Sequence, residues 1–106
     1  MKLSVLSKSS DFARLSKEGK KKYLKFGTIL YLLTEEHLGI RLGFAVSKKL
    51  GNAVFRNKIK RRFRAAIAEV IKDRVINCDM LFIAKTNAAD IDFKEMVSQL
   101  KMIFII

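Results

Sequence analysis

The chain has 106 residues, half of them hydrophobic, with 22 Lys and Arg against 10 Asp and Glu and a formal net charge of +12. That length and apolar content predict one compact domain spanning residues 1–106 and exclude wholesale disorder. A lone cysteine, Cys78, excludes an internal disulfide, and one cysteine with one histidine cannot build a zinc site. The apolar runs ILYLL and MIFII are five residues each, too short to cross a bilayer. The opening MKLSVLSKSSDF is too short in its apolar part for a signal peptide. The expectation is a cytoplasmic protein with no membrane role. Its self-repulsion would be relieved by a polyanion.

Ser9 or Ser10 is suited to cap a short helix over SDFARLSKE, which Gly19 would end. Its apolar residues are Phe12 and Leu15, with Ala13 beside them. The basic KKKYLK that follows reads as a loop or a short edge strand, where lysines guard against edge-to-edge association. FGTILYLL (26–33) reads as a strand apolar on both faces, and TEEHLG turns the chain, with His37 given no role beyond the turn. IRLGFAV (40–46) alternates: Ile40, Leu42, Phe44 and Val46 point one way, Arg41, Gly43, Ala45 and Ser47 the other. The second face is small or cationic, which leaves room for something to lie against it.

After the loop SKKLGN, Asn52 is a good N-cap for a long helix over roughly 53–72. DMLFIAK (79–85) is an apolar strand, with Cys78 a small hydrophobe before it. NAADIDFKEMVSQLKMIFI closes the chain as a helix. There Asp92 and Glu95 form a capping box, Ile91 and Met96 a staple, and Phe93, Met96, Val97, Leu100 and Phe104 share one face. The order helix, two or three strands, helix, strand, helix, with at least one hairpin, predicts an α+β fold with helices on a small sheet.

The long helix carries the functional signal. Six cations, Arg56, Lys58, Lys60, Arg61, Arg62 and Arg64, fall within nine residues. At about 100° per residue, Phe55, Ile59, Phe63, Ala66, Ile67 and Val70 share one side, and Asn57, Lys60, Arg61, Arg64 and Ala68 the other. The apolar side would dock on the sheet and hold the cations outward. An ordinary solvated helix face mixes signs, yet here the first acidic residue after Asn52 is Glu69. A phosphate-binding surface for nucleic acid is the reading that fits, with Arg donating two parallel hydrogen bonds. Lys48 and Lys49 add charge beside the helix N-terminus, itself a positive pole. No carboxylate pair, Ser/His/Asp set or phosphate loop is visible, so no protein side chain is assigned a catalytic role.

The stretch RLGFAVSKKLGNAVFRNKIKRRFR (41–64) resembles the bacterial ribonuclease P protein component family, whose helix opens with Arg-Asn-Arg after a strand ending in Ser-Lys-Lys. SDF near the start, ILYL in the long strand and DMLFIAK before the last helix also fall where the family has counterparts, so the likeness covers nearly the whole chain. The resemblance implies an α-β-β-β-α-β-α sandwich with a left-handed crossover through the basic helix, against the usual handedness. It implies a subunit that binds a large catalytic RNA and the 5′ leader of precursor tRNA. The RNA carries the hydrolysis with Mg2+, and the protein alone holds no cofactor, small-molecule substrate or metal. By that likeness Arg56, Asn57, Lys58, Lys60, Arg61 and Arg64 would meet the catalytic RNA. A leader cleft between the first helix and the sheet would use Phe12, Tyr31 and Arg41, with Lys48 and Lys49 between the two regions. Phe12 and Tyr31 are each equally readable as core aromatics.

Three departures from the family pattern stand out. Lys58 replaces the third motif arginine and loses its forked geometry. Ser16 stands where many members carry a second aromatic, and MIFII where some carry a basic tail. A structural RNA-binding protein, such as a ribosomal component, would account for the charge. It would not account for the GNAVFRNKIKRR block or the small-residue strand face.

Overall fold

A computed structural model describes residues 3–104; Ile105, expected at the end of the closing helix, lies outside the described residues. In chain order the elements are strand β1 (Leu3–Val5), helix α1 (Ser9–Glu18), strands β2 (Lys20–Leu24), β3 (Gly27–Leu33) and β4 (Ile40–Ala45), helix α2 (Ala53–Ile71), strand β5 (Cys78–Ala84) and helix α3 (Phe93–Ile103). Short 3-10 turns occupy Lys48–Leu50 and Thr86–Ala89. The fold is α+β, built on one mixed sheet in the order β1-β4-β5-β3-β2. β4 lies parallel to both β1 and β5, and β3 lies antiparallel to β5 and β2. From α1 onward this is the expected order. β1 is an addition, three residues long and too short for its pattern to show a period.

Strand alternation sorts the apolar residues into two cores. Ile29, Ile40, Leu42, Met80 and Phe82 face α2 and α3, meeting Ile59, Phe63, Ile67, Met96 and Leu100. Phe63 stacks on Phe82 with ring centroids 4.1 Å apart, pinning the middle of α2 to the central strand. On the other face Leu30 and Leu81 meet Leu15 and Leu6, which attaches α1 there, with Phe12 and Leu32 packed alongside. β4 shows its expected division, with Ile40 and Leu42 buried in the larger core and Arg41 and Gly43 turned toward α1.

Local details differ in three places. α1 begins at Ser9 itself, after an extended Lys8, and no side chain caps it. Asp92 precedes α3 without capping it, and Glu95 is drawn instead to Lys25 Nζ, 3.0 Å away, and to Gln99. Phe93 begins α3 38% exposed, outside the apolar face expected of it. Asn52 behaves as expected: its Oδ1 accepts the Phe55 amide at 3.0 Å.

Candidate nucleic-acid interface

The apolar residues of α2 are buried, Ile59 and Phe63 completely, so the opposite side of the rod faces solvent. Asn57, Arg61 and Arg64 are exposed there, with Lys60 half-buried on the flank. None of the three cations among them takes part in an ion pair among the described residues. The Arg64 guanidinium lies 5.0 Å from the centre of the Phe44 ring, which steadies it without neutralising it.

The remaining cations of α2 are partly committed. Arg62 donates to the carbonyls of Ala89 and Ile91, bracing α2 against the segment that leads into α3. Lys58 Nζ lies 3.9 Å from Asp90 Oδ1, so the cluster has one acidic neighbour that its own sequence stretch lacks. Arg56 is half-buried and its Nε has no partner among the described residues. Lys48 and Lys49 are exposed in the turn joining β4 to α2, where Ser47 Oγ accepts the Lys49 amide. They stand beside the positive end of α2.

The α1 face holds the second group of expected site residues and divides it. Phe12 lies over Gly43: a Cβ there would come within 2.7 Å of its ring. The room left by the small strand face is therefore taken in part by α1's own aromatic. Arg41 is not free for a ligand. Its Nε and Nη2 donate to Asp79 at 2.7 and 2.8 Å, and Nη2 reaches Asp11 at 3.4 Å. The hydrogen bonds to Asp79 outweigh burial and raise the Arg41 pKa. Tyr31 alternates with Leu30 and Leu32, so it packs toward the larger core, on the opposite face from Phe12. Phe12 and Tyr31 therefore do not share one cleft.

His37, in the turn between β3 and β4, has a tertiary partner: its Nε2 lies 2.8 Å from Asp79 Oδ1. Asp79 is the one buried charged residue among those described, at 2% exposure. Burial pushes its carboxyl up, but hydrogen bonds from Arg41 and then His37 prevail and hold it below the ordinary value of 3.8.

Beside α1 the sheet is open. Strand pairing sets Ala45 beside Ile83, Ile83 beside Thr28 and Thr28 beside Tyr23. Paired residues share a face, and this row lies two positions along from Gly43, Leu81, Leu30 and Lys21. It is thus on the α1 face but beyond the helix. Ile83 is 39% exposed and Tyr23 75%. Neither residue was expected at the site. Tyr23 stood in a run of lysines with no register to assign its face, and Ile83 in a strand that looked wholly buried.

A basic α+β domain with an outward cationic helix and an open apolar sheet strip is of the class that binds single-stranded or irregular RNA. The Ribonuclease P family model matches residues 1–105. The chain is 39% identical over 97 residues to a ribonuclease P protein component of Shouchella clausii, covering 91% of this chain and 79% of the relative. It is 33% identical over 99 residues to that of Bacillus cereus strain B4264, covering 93% and 86%. The solved Staphylococcus aureus RNase P protein superposes with a TM-score of 0.77 at 34% identity, covering 97% and 94%. That of Thermotoga maritima gives 0.72 at 26%, covering 93% and 96%. The chain belongs to the family of bacterial ribonuclease P protein components, accessory subunits of that tRNA-processing enzyme.

Proposed function

We propose that the exposed face of α2 binds the catalytic RNA of ribonuclease P and that the strip beside α1 receives the 5′ leader of precursor tRNA. Asn57, Lys60, Arg61 and Arg64 are the principal RNA contacts, with Arg56 and Lys58 beside them. The observation that carries this reading is the outward row of Asn57, Arg61 and Arg64 without acidic partners among the described residues. Phosphate is the ligand such a row favours, since each phosphate contact releases counterions. Phe12 forms the wall of the leader strip, and Lys48 and Lys49 bridge from it to α2. Arg41 fastens α1 to the sheet, at the end away from the strip, by holding Asp79 and Asp11 rather than by touching RNA. Hydrolysis belongs to the RNA with its Mg2+, in the cytoplasm, and the protein contributes binding and orientation.

Reconstitution with the catalytic RNA and a precursor tRNA at low Mg2+ tests this. The expected result is faster leader removal and tighter binding of precursor than of mature tRNA when the protein is added. Co-purification with ribosomes and no stimulation would overturn it.

A further inference from the structure

We infer that Tyr23, backed by Lys21, is a base-stacking platform that extends the leader strip across the sheet onto edge strand β2. The inference rests on the leader reading above and adds a site to it. Tyr23 is a large ring, 75% exposed, on the face that α1 leaves open. A guard against edge pairing accounts for the neighbouring lysines. It does not account for an exposed ring, because an apolar surface at a sheet edge undoes that protection.

The ring's surroundings point to a nucleobase. Lys21 Nζ lies over the Tyr23 ring, 5.8 Å from its centroid and on the same side of the strand, so a base stacked on the other ring face would have an ammonium group within reach of the phosphate that follows it. The row to which Tyr23 belongs contains no acid, and the carboxylates around α1 are already paired: Asp79 and Asp11 with Arg41, Glu18 and Glu36 with Arg14. Four strands spaced about 4.8 Å apart give a strip roughly 14 Å wide. A four-stranded sheet of that width is the platform on which RNA-recognition domains stack two or three bases.

The orientation of α1 leaves this role to β2. Asp11 and Arg14 reach Arg41 and Glu36 at the far end of the sheet, which turns the flank bearing Phe12 and Ser16 toward the open row. Ser16 offers no ring there. A leader entering past Phe12 crosses Ala45, Ile83 and Thr28 and meets its next aromatic at Tyr23.

The test uses holoenzyme reconstituted with the catalytic RNA and precursor tRNAs whose leaders differ in length. Wild-type protein is compared with Tyr23→Ala, Tyr23→Phe and Lys21→Ala. Tyr23→Ala should weaken precursor binding by about tenfold for a long leader, with the loss growing with leader length. Tyr23→Phe should bind as wild type does, since the ring face is what stacks. Lys21→Ala should flatten the salt dependence of that binding. Tyr23→Ala indistinguishable from wild type at every leader length would overturn the inference. If the wild-type protein itself shows no dependence on leader length, the leader reading fails with it, and that outcome is visible without any variant.

Discussion

Arg41 and Asp79 form a two-pronged ion pair across neighbouring strands β4 and β5, with Nε 2.7 Å from Oδ1 and Nη2 2.8 Å from Oδ2. His37 closes on the same carboxylate from the β3–β4 turn, and Asp11 joins from α1. One buried acid therefore ties a turn, two strands and a helix together at the end of the sheet away from the proposed RNA strip. Removing one member of a buried pair leaves the other without its counter-charge, at about 3–5 kcal/mol. Asp79→Ala should destabilise the fold by about 3 kcal/mol, the low end of that range, because Arg41 keeps a quarter of its side chain in solvent. A urea titration of the free protein checks this, and a loss under 1 kcal/mol would show the pair to be incidental.

The same pair sets a direction for acid sensitivity. The Asp79 carboxyl is held below its ordinary 3.8 in the fold. Folding is thus favoured while the unfolded carboxylate would still be ionised. That contribution is complete above about pH 4 and drains away as pH falls through the lower folded value. The midpoint for unfolding should fall steeply below pH 4 in wild type and more shallowly in Asp79→Ala. Parallel curves for the two proteins would place the acid-labile groups elsewhere.

What the sequence made legible was periodic, and what it hid was a matter of register or distance. The two faces of α2 could be read because nineteen helical residues repeat their pattern over several turns, and those of β4 because it alternates without a break. The face of Tyr31 could not, since FGTILYLL is apolar at nearly every position and a one-residue shift exchanges its faces. Tyr23 was obscured in the same way by its lysines. The bond between His37 and Asp79 spans 42 residues and needs the parallel pairing of β4 with β5 to exist. Glu95 left its expected cap for Lys25, a partner 70 residues away, and Arg62 found two carbonyls 27 and 29 residues further along the chain for the same kind of reason. Tertiary partners competed with local ones and won.

Cys78 is fully buried at the start of β5, and burial, with the Asp79 charge adding to it, pushes its thiol up to about 12. Thiolate is the reactive form, so the folded protein should resist alkylation. Iodoacetamide at pH 8 should leave it unmodified for hours and label it within minutes in denaturant, as followed by mass spectrometry. Rapid labelling of the native protein would contradict the packing at the β3–β5 end of the sheet.

Gly43 makes space for Phe12. An alanine Cβ there would stand 2.7 Å from Phe12 Cε1 and 3.2 Å from the Leu6 carbonyl. The ring can swing but the backbone oxygen cannot, so Gly43→Ala should cost about 1–3 kcal/mol, as overpacking does. It should also displace the wall of the leader strip. Precursor affinity should fall while affinity for the catalytic RNA, bound through the other face, holds steady. Equal losses for both RNAs would mean that the substitution disturbs the fold as a whole.

The strongest consequence concerns the α2 cations. Arg61 and Arg64 are exposed, and neither pairs with a carboxylate among the described residues. Replacing both with Ala should lower the thermal midpoint only slightly, since Arg61 has no ion-pair partner among the described residues and an exposed cation–π contact such as that of Arg64 with Phe44 contributes about 0.5–1 kcal/mol. Affinity for the catalytic RNA should fall, and its dependence on salt should flatten by about 0.7–0.9 in log–log slope for each lost phosphate contact. The two arginines should not be equal. Arg64 rests against Phe44, which reduces the freedom it must surrender on binding, so Arg64→Ala should lose more affinity than Arg61→Ala at the same loss of slope. Replacing Phe44 with Leu should remove that difference. A double variant whose salt slope matches wild type would mean that the catalytic RNA meets the protein on a surface other than α2.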